Sequence, residues 1–520
     1  MIIKMKNRIH IIAALAALLM FSSCSLEEKL QSNYQTATYY RNYAQGVTGL
    51  RGCYPPLRSM YTGALMLATE SVSDLMYCNS GTYDAILDIS PSNPRYGSTG
   101  WTQGYRGVMR CNNMMAALDR AYADGNLTQV QYNELKAEAA SLRGMYYYLL
   151  IAIFGDVPFY TSAVETTEDQ DRVARLPRMS AVDTRAYIVD ELLDLLDNDG
   201  VVQKRTYDNP ETSDYRMGAA FGWMVCAKLA MWNACQDKVN KESWYAKALT
   251  ALVHLEEIYG DLKQYTIADI RFRNKYTPES IFEVQHKYQP GGIEYYSNLA
   301  PRCIPTPMEI IDGKPYFDGV LIEELGINAN VNTVIRPNAY FVGHQSRGSR
   351  DIRAKVNMAW GYGGKDFKNA KETKPYLGPK FWCPDIQYNM DGNNYKVFRY
   401  ADAVLMKAEC LHAKAQYADA LVYLNKTRTR AGLTAFTDET PETLLEEIKI
   451  ERAKELFGEF HRKFDLVRWG DFCDKVKETT DYAPVRKAIL PCHRYYPIPD
   501  SEVARSKYVL DNKEYEQYGF

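Results

Sequence analysis

A chain of 520 residues with a formal charge of −2 is long enough for two or three domains, or for one large helical body with inserted loops. The balance of 62 Lys and Arg against 64 Asp and Glu argues against a nucleic-acid partner, whose phosphates a binder would have to neutralise. Tyrosine is the outlier, at 41 residues beside 7 Trp and 17 Phe; such rings fill a core, or sit at a surface where one face is apolar and the hydroxyl is wet.

The first residues read as a targeting segment. Lys4, Lys6 and Arg8 precede an unbroken apolar run over 11–21. At ~1.5 Å per residue that run spans roughly 17 Å, too short for a ~30 Å hydrocarbon core, so it reads as a signal peptide (1–23). Small Ser22 and Ser23 are followed by Cys24, an arrangement that resembles a lipobox with Phe21 where leucine is commoner. Cys24 is therefore the expected lipidation site, where acyl chains contributing ~0.8 kcal/mol per buried methylene would hold the chain to a bilayer. Glu27 and Glu28 resemble the surface-export signal of Gram-negative outer-membrane lipoproteins. The other cysteines contain no CxxC pair, and their spacing selects no disulfide connectivity. Cys226 and Cys410, inside apolar runs, read as small buried hydrophobes.

Residues 24–45 are polar and read as a tether. A helical region is expected over 46–260, interrupted by Pro55 and Pro56 and by a loop over 79–100 that holds Gly81, Pro91, Pro94, Gly97 and Gly100. Leu135, Ala139, Leu142, Tyr146, Leu149 and Ile153 recur at three- and four-residue steps, the face of an amphipathic helix that Gly155 and Pro158 end. Ile188, Leu192, Leu195 and Leu196 mark another helix, and 219–232 a third, with small residues that allow close approach. Over 261–399 the helical period fades and Gly, Pro, Asn and Tyr rise; only 280–284 reads as a strand. So long an irregular stretch is expected to be functional. The helical pattern returns over 400–520, with helices at 403–413, 418–430 and 444–460. Large and small residues alternating in paired helices resemble a tetratricopeptide-like unit. The expected fold is mostly α: a helical-pair scaffold with a long loop-rich insertion and few short strands.

Several chemistries find no support. No HExxH or Cys–His zinc spacing is present, and no metal or other cofactor is expected. The run Asp391-Gly392-Asn393-Asn394 lacks the rest of a calcium loop and reads as a turn. There is no GxSxG elbow and no phosphate-binding loop. Glu451, Glu455 and Glu459 lie four apart on one predicted helix face, a spacing of about 5–6 Å that could suit a glycosidase pair. Arg452 and Arg462 are interleaved, with Asp465 and Arg468 beyond; arginine lowers a carboxyl's pKa, so this reads as a structural ion-pair network. What remains is aromatic recognition. A sugar needs flat rings for its C–H faces and polar groups for its hydroxyl rim. The candidate ligand-binding residues are Tyr83, Arg95 and Tyr96, then Tyr295, Tyr296 and Asn298, then Trp360, Tyr362 and Trp382, with Asn93 as a polar neighbour. Trp101 is expected to pack inward at a helix start.

Ordered motifs then point to a family. The run from Glu138 through Arg143 and Tyr146-Tyr147-Tyr148 to Leu149, followed by Phe154-Gly155-Asp156-Val157-Pro158, is one block. Leu176-Pro177-Arg178, Ser280-Ile281-Phe282-Glu283-Val284 and Asp351-Ile352-Arg353 follow. Arg399 to Asp402, Ala408-Glu409, Asn425 and Arg428 to Gly432 form another block. Glu451-Arg452, Glu455-Leu456, Arg462, Asp465-Leu466, Arg468 and Pro497-Ile498-Pro499 complete the series. In these the chain resembles the SusD/RagB family of outer-membrane nutrient-binding lipoproteins. It departs at Phe460, where glycine is usual, and at Lys463, where an aromatic is common. The resemblance implies four tetratricopeptide-like helix pairs and no catalytic activity. It also implies a SusC-like TonB-dependent transporter as partner, with an oligosaccharide or polysaccharide as the cargo delivered to it. It implies an outer-membrane location facing the exterior, and a ligand site in loops outside the shared motifs, here 76–101 and 290–385. Capture of a peptide, as implied for some relatives, is the alternative; a surface glycoside hydrolase or a lid without ligand affinity are the others.

Overall fold

The computed structural model describes residues 40–78, 86–205, 215–286, 296–297, 309–317, 320–321, 335–382, 390–391 and 393–520. Short helices α1 (Tyr43–Arg51), α2 (Pro55–Met60) and α3 (Gly63–Thr69) lead into the scaffold helices. These are α4 (Tyr96–Ala123), α5 (Gln129–Phe154), α6 (Thr167–Ala174), α7 (Ala181–Leu195), α8 (Ala219–Gln236) and α9 (Lys241–Tyr259). After a strand-bearing stretch with α10 (Ala339–His344) and α11 (Ala354–Asn357) come α12 (Tyr400–Ala413), α13 (Tyr417–Arg430) and α14 (Pro441–Glu455). Helices α15 (Arg462–Trp469), α16 (Phe472–Thr479), α17 (Ala483–Ala488), α18 (Asp500–Arg505) and α19 (Lys513–Glu516) close the chain. No helix among the described residues is long and apolar enough to cross a membrane.

The scaffold is a succession: α4 packs on α5, α5 on α7 and α8, α8 on α9, α9 on α12, and α12 on α13 and α14. This neighbour-on-neighbour layering is the helical-pair architecture expected from the sequence. Small residues set the spacing. A Cβ on Gly107 would lie 2.3 Å from the Tyr146 ring, and one on Gly222 would lie 2.4 Å from Ser141 Oγ, so these helices pack backbone to side chain. Tyr146 is pinned there, its hydroxyl donating to Cys53 O at 2.6 Å and accepting from Leu57 N at 3.0 Å. One large apolar core runs from α1 to the C-terminal helices; a second, small cluster lies between α12, α13 and α14 around Leu405, Leu424 and Ile448.

The helical pattern does break before Pro55: α1 ends at Arg51 and the two prolines begin α2, where their missing N–H groups cost nothing. Three sequence expectations are corrected. Helix α4 starts at Tyr96, so Gly97 and Gly100 belong to it and not to the preceding loop; both are buried against neighbouring rings. The helix expected over 444–460 ends at Glu455, because Gly458 (φ 73°) and Phe460 (φ 66°) turn the chain left-handed. The 261–399 stretch holds more strands than 280–284 alone. Ser280–Val284 pairs antiparallel with Tyr395–Arg399, bringing Phe282 opposite Phe398, and Met76–Cys78 pairs with Ile335–Pro337. Trp101 is buried in α4, edge-on to Phe154 at 5.1 Å.

Charged residues of the shared motifs are sunk into this frame. Arg353 bonds Asp351, Glu451 and Glu455; Arg399 bonds Glu279, Glu455 and Glu459. Arg452 bridges Asp402 and Asp465, and Arg462 holds Asp74. Asn393 and Asn394 spend their amides on Phe381 O and Glu283, while Asp391 lies in a strand. Among the described residues no group of three or more His, Cys, Asp or Glu could hold a metal ion.

Candidate ligand-binding site

The two expected walls meet through backbone. Strand Met76–Cys78, from the first, pairs with Ile335–Pro337, from the second, and Asn338 fastens the junction by donating to Ser73 O at 3.0 Å. Arg336 then lays its guanidinium 3.9 Å over the ring of Tyr376, which belongs to the next strand pair.

That pair, Met358–Ala359 with Tyr376–Leu377, roots a hairpin in which Gly361–Tyr362 faces Lys365–Asp366. The turn is made by Gly363 and Gly364, both at positive φ (58° and 81°), the conformation a two-residue hairpin loop needs. Trp360, only 6% exposed, donates its indole N–H to Glu372 O at 3.0 Å. Trp382, 8% exposed, donates to Leu377 O at 3.1 Å and lies 5.6 Å from the Tyr362 ring. Tyr362 is half-buried, in register with exposed Lys365. Arg347 reaches from the 344–350 segment to the Asp366 carboxylate, holding it below the usual carboxylate range. The arrangement is a half-buried ring beside a buried indole, edged by a cation and an ion pair.

The sequence-predicted residues thus divide. Trp360, Tyr362 and Trp382 fall in one segment, but the two indoles are buried supports, their N–H groups spent on backbone carbonyls; Tyr362 is the one of the three that keeps partial exposure. Tyr96 is in the core, its hydroxyl donating to Met60 O at 2.8 Å and its ring edge-on to Tyr496. Arg95 precedes α4 at φ 52° and pairs with Asp88 at 2.9 Å, while Asn93 donates to Asp88 O. The backbone of Tyr296 pairs with Asp391. Tyr83, Tyr295, Asn298 and Cys24, and the Tyr296 side chain, lie outside the described residues. Arg347, Lys365 and Asp366 escaped sequence reading; their signal was charge beside a Gly-Gly turn, which reads equally as a solvated loop.

Comparisons with known proteins agree with this architecture. A model described as the SusD family matches residues 329–515, and one described as starch-binding associating with outer membrane matches residues 56–186. Together the two matches take in more than half of the chain. A SusD-like protein of Formosa agariphila is 25% identical, over 95% of this chain and 96% of its own length. A SusD superfamily protein of Bacteroides vulgatus superposes with a TM-score of 0.68 at 20% identity, covering 91% of this chain and 98% of that one. Surface glycan-binding protein A of Bacteroides uniformis gives 0.67 at 21% identity, over 91% and 99%. With its motif blocks occupying the buried ion network and its helices layered as in these structures, the chain belongs to the SusD/RagB family.

Proposed function

We propose that the protein captures an oligosaccharide at the cell surface and passes it to a SusC-like TonB-dependent barrel, held to the outer membrane by an acylated Cys24. Tyr362 carries this reading: a half-buried ring on a two-stranded hairpin, beside Trp382, with Lys365, Asp366 and Arg347 near enough in register to bond a hydroxyl rim. SusD-family proteins bind ligands and do not transform them, and two of the structural neighbours are a surface glycan-binding protein and a laminarin-binding SusD-like protein. Stacking plus hydroxyl hydrogen bonds at so open a site predicts modest affinity, about −8 to −4 kcal/mol, which a polymer engaging several copies would raise.

The three carboxylates spaced like a glycosidase pair are unsuited to cleaving a glycosidic bond. Glu451, Glu455 and Glu459 are fully buried against Arg353, Arg399 and Lys380, which hold Glu455 and Glu459 well below the range a general acid requires. The test is isothermal titration and affinity electrophoresis of the mature protein against a panel of neutral glycans and a peptide digest. Retention by one or more glycans, weakened in Tyr362→Ala without release of reducing ends, is the expected result. Binding of peptides alone, or hydrolysis of the retained glycan, would overturn it.

A further inference from the structure

Two buried cysteines meet where the chain enters the scaffold. Cys53 lies between α1 and α2, and Cys111 lies midway along α4. They are 1% and 0% exposed. Helix α2 packs on α4, and the Arg110 guanidinium donates to Gly52 O at 2.9 Å, so residues 52–53 run alongside residues 110–111. The Tyr146 hydroxyl, from α5, donates to Cys53 O at 2.6 Å and fixes that side of the contact. Both side chains stand as thiols, and the two are in hydrogen-bonding contact. Cysteines whose side chains already meet need little backbone movement to bond.

A buried cysteine is most often a small hydrophobe, as Cys226 and Cys410 are. This pair differs in that each is the other's neighbour, and in the compartment. The chain belongs to an outer-membrane-associated family, whose place lies beyond the reducing cytoplasm. We propose that in the exported protein Cys53 and Cys111 are joined as a disulfide that ties the entry of the chain to α4. One thiolate attacks an incoming protein or small-molecule disulfide and releases a thiol; the second thiolate then displaces the remaining thiol. Two cysteine thiols are oxidised to one S–S bond, one incoming disulfide is reduced to two thiols, and the two cysteine protons pass to the departing thiolates. Burial pushes the Cys111 thiol above its usual range, so the exchange belongs to folding, before the pair is covered.

The bond closes a loop that holds α2, α3 and the first half of α4, long enough for closure to restrict the unfolded chain. It also has a mechanical use. Helix α1 follows the expected lipid tether, so a pull between anchor and scaffold passes through it, and the bond delivers that pull to α4 before α2 can peel away. The inference rests on export of the chain and not on glycan capture, so loss of glycan binding leaves it standing.

The experiment recovers the full protein from the membrane fraction of expressing cells, alkylates free thiols under denaturing, non-reducing conditions and maps the peptides by mass. A peptide pair linked through Cys53 and Cys111 is expected, and reduction should abolish it. Urea unfolding of the parent should move to a lower midpoint when a reducing agent is present, and in Cys53→Ala/Cys111→Ala that movement should shrink or vanish. Chain made without residues 1–23 and refolded with oxidised glutathione should form the same link. Membrane-derived protein with both cysteines alkylated, either one linked to a different cysteine, or refolded chain without the link would overturn the inference.

Discussion

Arg399 grips Glu459 with two parallel bonds, Nε to Oε2 and Nη2 to Oε1, each at 2.9 Å. The same guanidinium reaches Glu279 at 2.7 Å and Glu455 at 3.1 Å, and Lys380 reaches Glu459 at 2.6 Å, all without exposure to solvent. Strand Tyr395–Arg399, the segment before strand Ser280–Val284 and the end of α14 are thereby locked to one another. Glu459→Ala would leave Lys380 and part of Arg399 buried without their counter-charge. It is expected to cost ~3–5 kcal/mol, far above a surface pair. Urea unfolding would check this, and a midpoint within error of the parent protein would contradict the account.

The same burial sets a pH dependence. His286 is pushed down to about 3, and His461 and His493 to about 4, in each case chiefly by desolvation. Their folded values lie below the ordinary 6.5, so the fold accepts the neutral ring. Stability is whole above pH 6.5 and declines as pH falls toward 4. The depressed carboxylates Glu283, Glu409 and Glu459 act lower, their contribution present above about pH 4 and lost below it. Glu70, raised to about 7 by burial, opposes this: its contribution is whole below about pH 4 and fades as pH rises through 7. His461 stacks on Phe398, and its Nε2 has no hydrogen-bond partner among the described residues and stands 3.8 Å from the Asp402 carboxylate, so His461→Phe removes the titration while keeping the stacked ring. The loss of stability between pH 7 and pH 5 should shrink by about 1–3 kcal/mol in that variant. Unchanged pH dependence would show that His461 titrates normally.

The helical frame was legible because apolar residues recur at helical spacing, although α5 from Ala137 onward and α8 prove buried on every side and not along one face; the ion network was legible because arginines alternate with Glu451, Glu455 and Glu459. Where α14 stops was not, since Phe460 takes a left-handed φ that no side-chain pattern announces. The site was legible only as a region. Sequence marks a ring but not how deep it sits: Tyr96, Trp360 and Trp382 stand among loop-like residues yet are buried, whereas Tyr362 is only half-buried.

Two tyrosines separate packing from recognition. Tyr96→Phe removes the bond to Met60 O from a buried ring and should cost ~1 kcal/mol of stability with glycan retention intact. Tyr362→Ala should do the reverse, weakening retention severalfold with little change in thermal midpoint. If both variants lose retention in proportion to stability, Tyr362 is a packing residue.

Lys463 is the departure from the family pattern with a thermodynamic consequence. It is 3% exposed and has no ion-pair partner among the described residues; its ammonium lies 4.9 Å from the Phe472 ring and 4.8 Å from that of Tyr496. Burial pushes it down to about 7. A lysine depressed in the fold contributes stability above its ordinary value of 10.5 and loses it as pH falls toward 7, so near neutrality the buried ammonium is a burden that two ring faces only partly relieve. Lys463→Met keeps the length of the chain and discards the charge. The variant should be more stable than the parent by about 1–4 kcal/mol at pH 6, with the gain vanishing by pH 10. Denaturant titrations at the two pH values measure that difference directly, and a variant less stable at both would mean that the ammonium is held by more than aromatic faces.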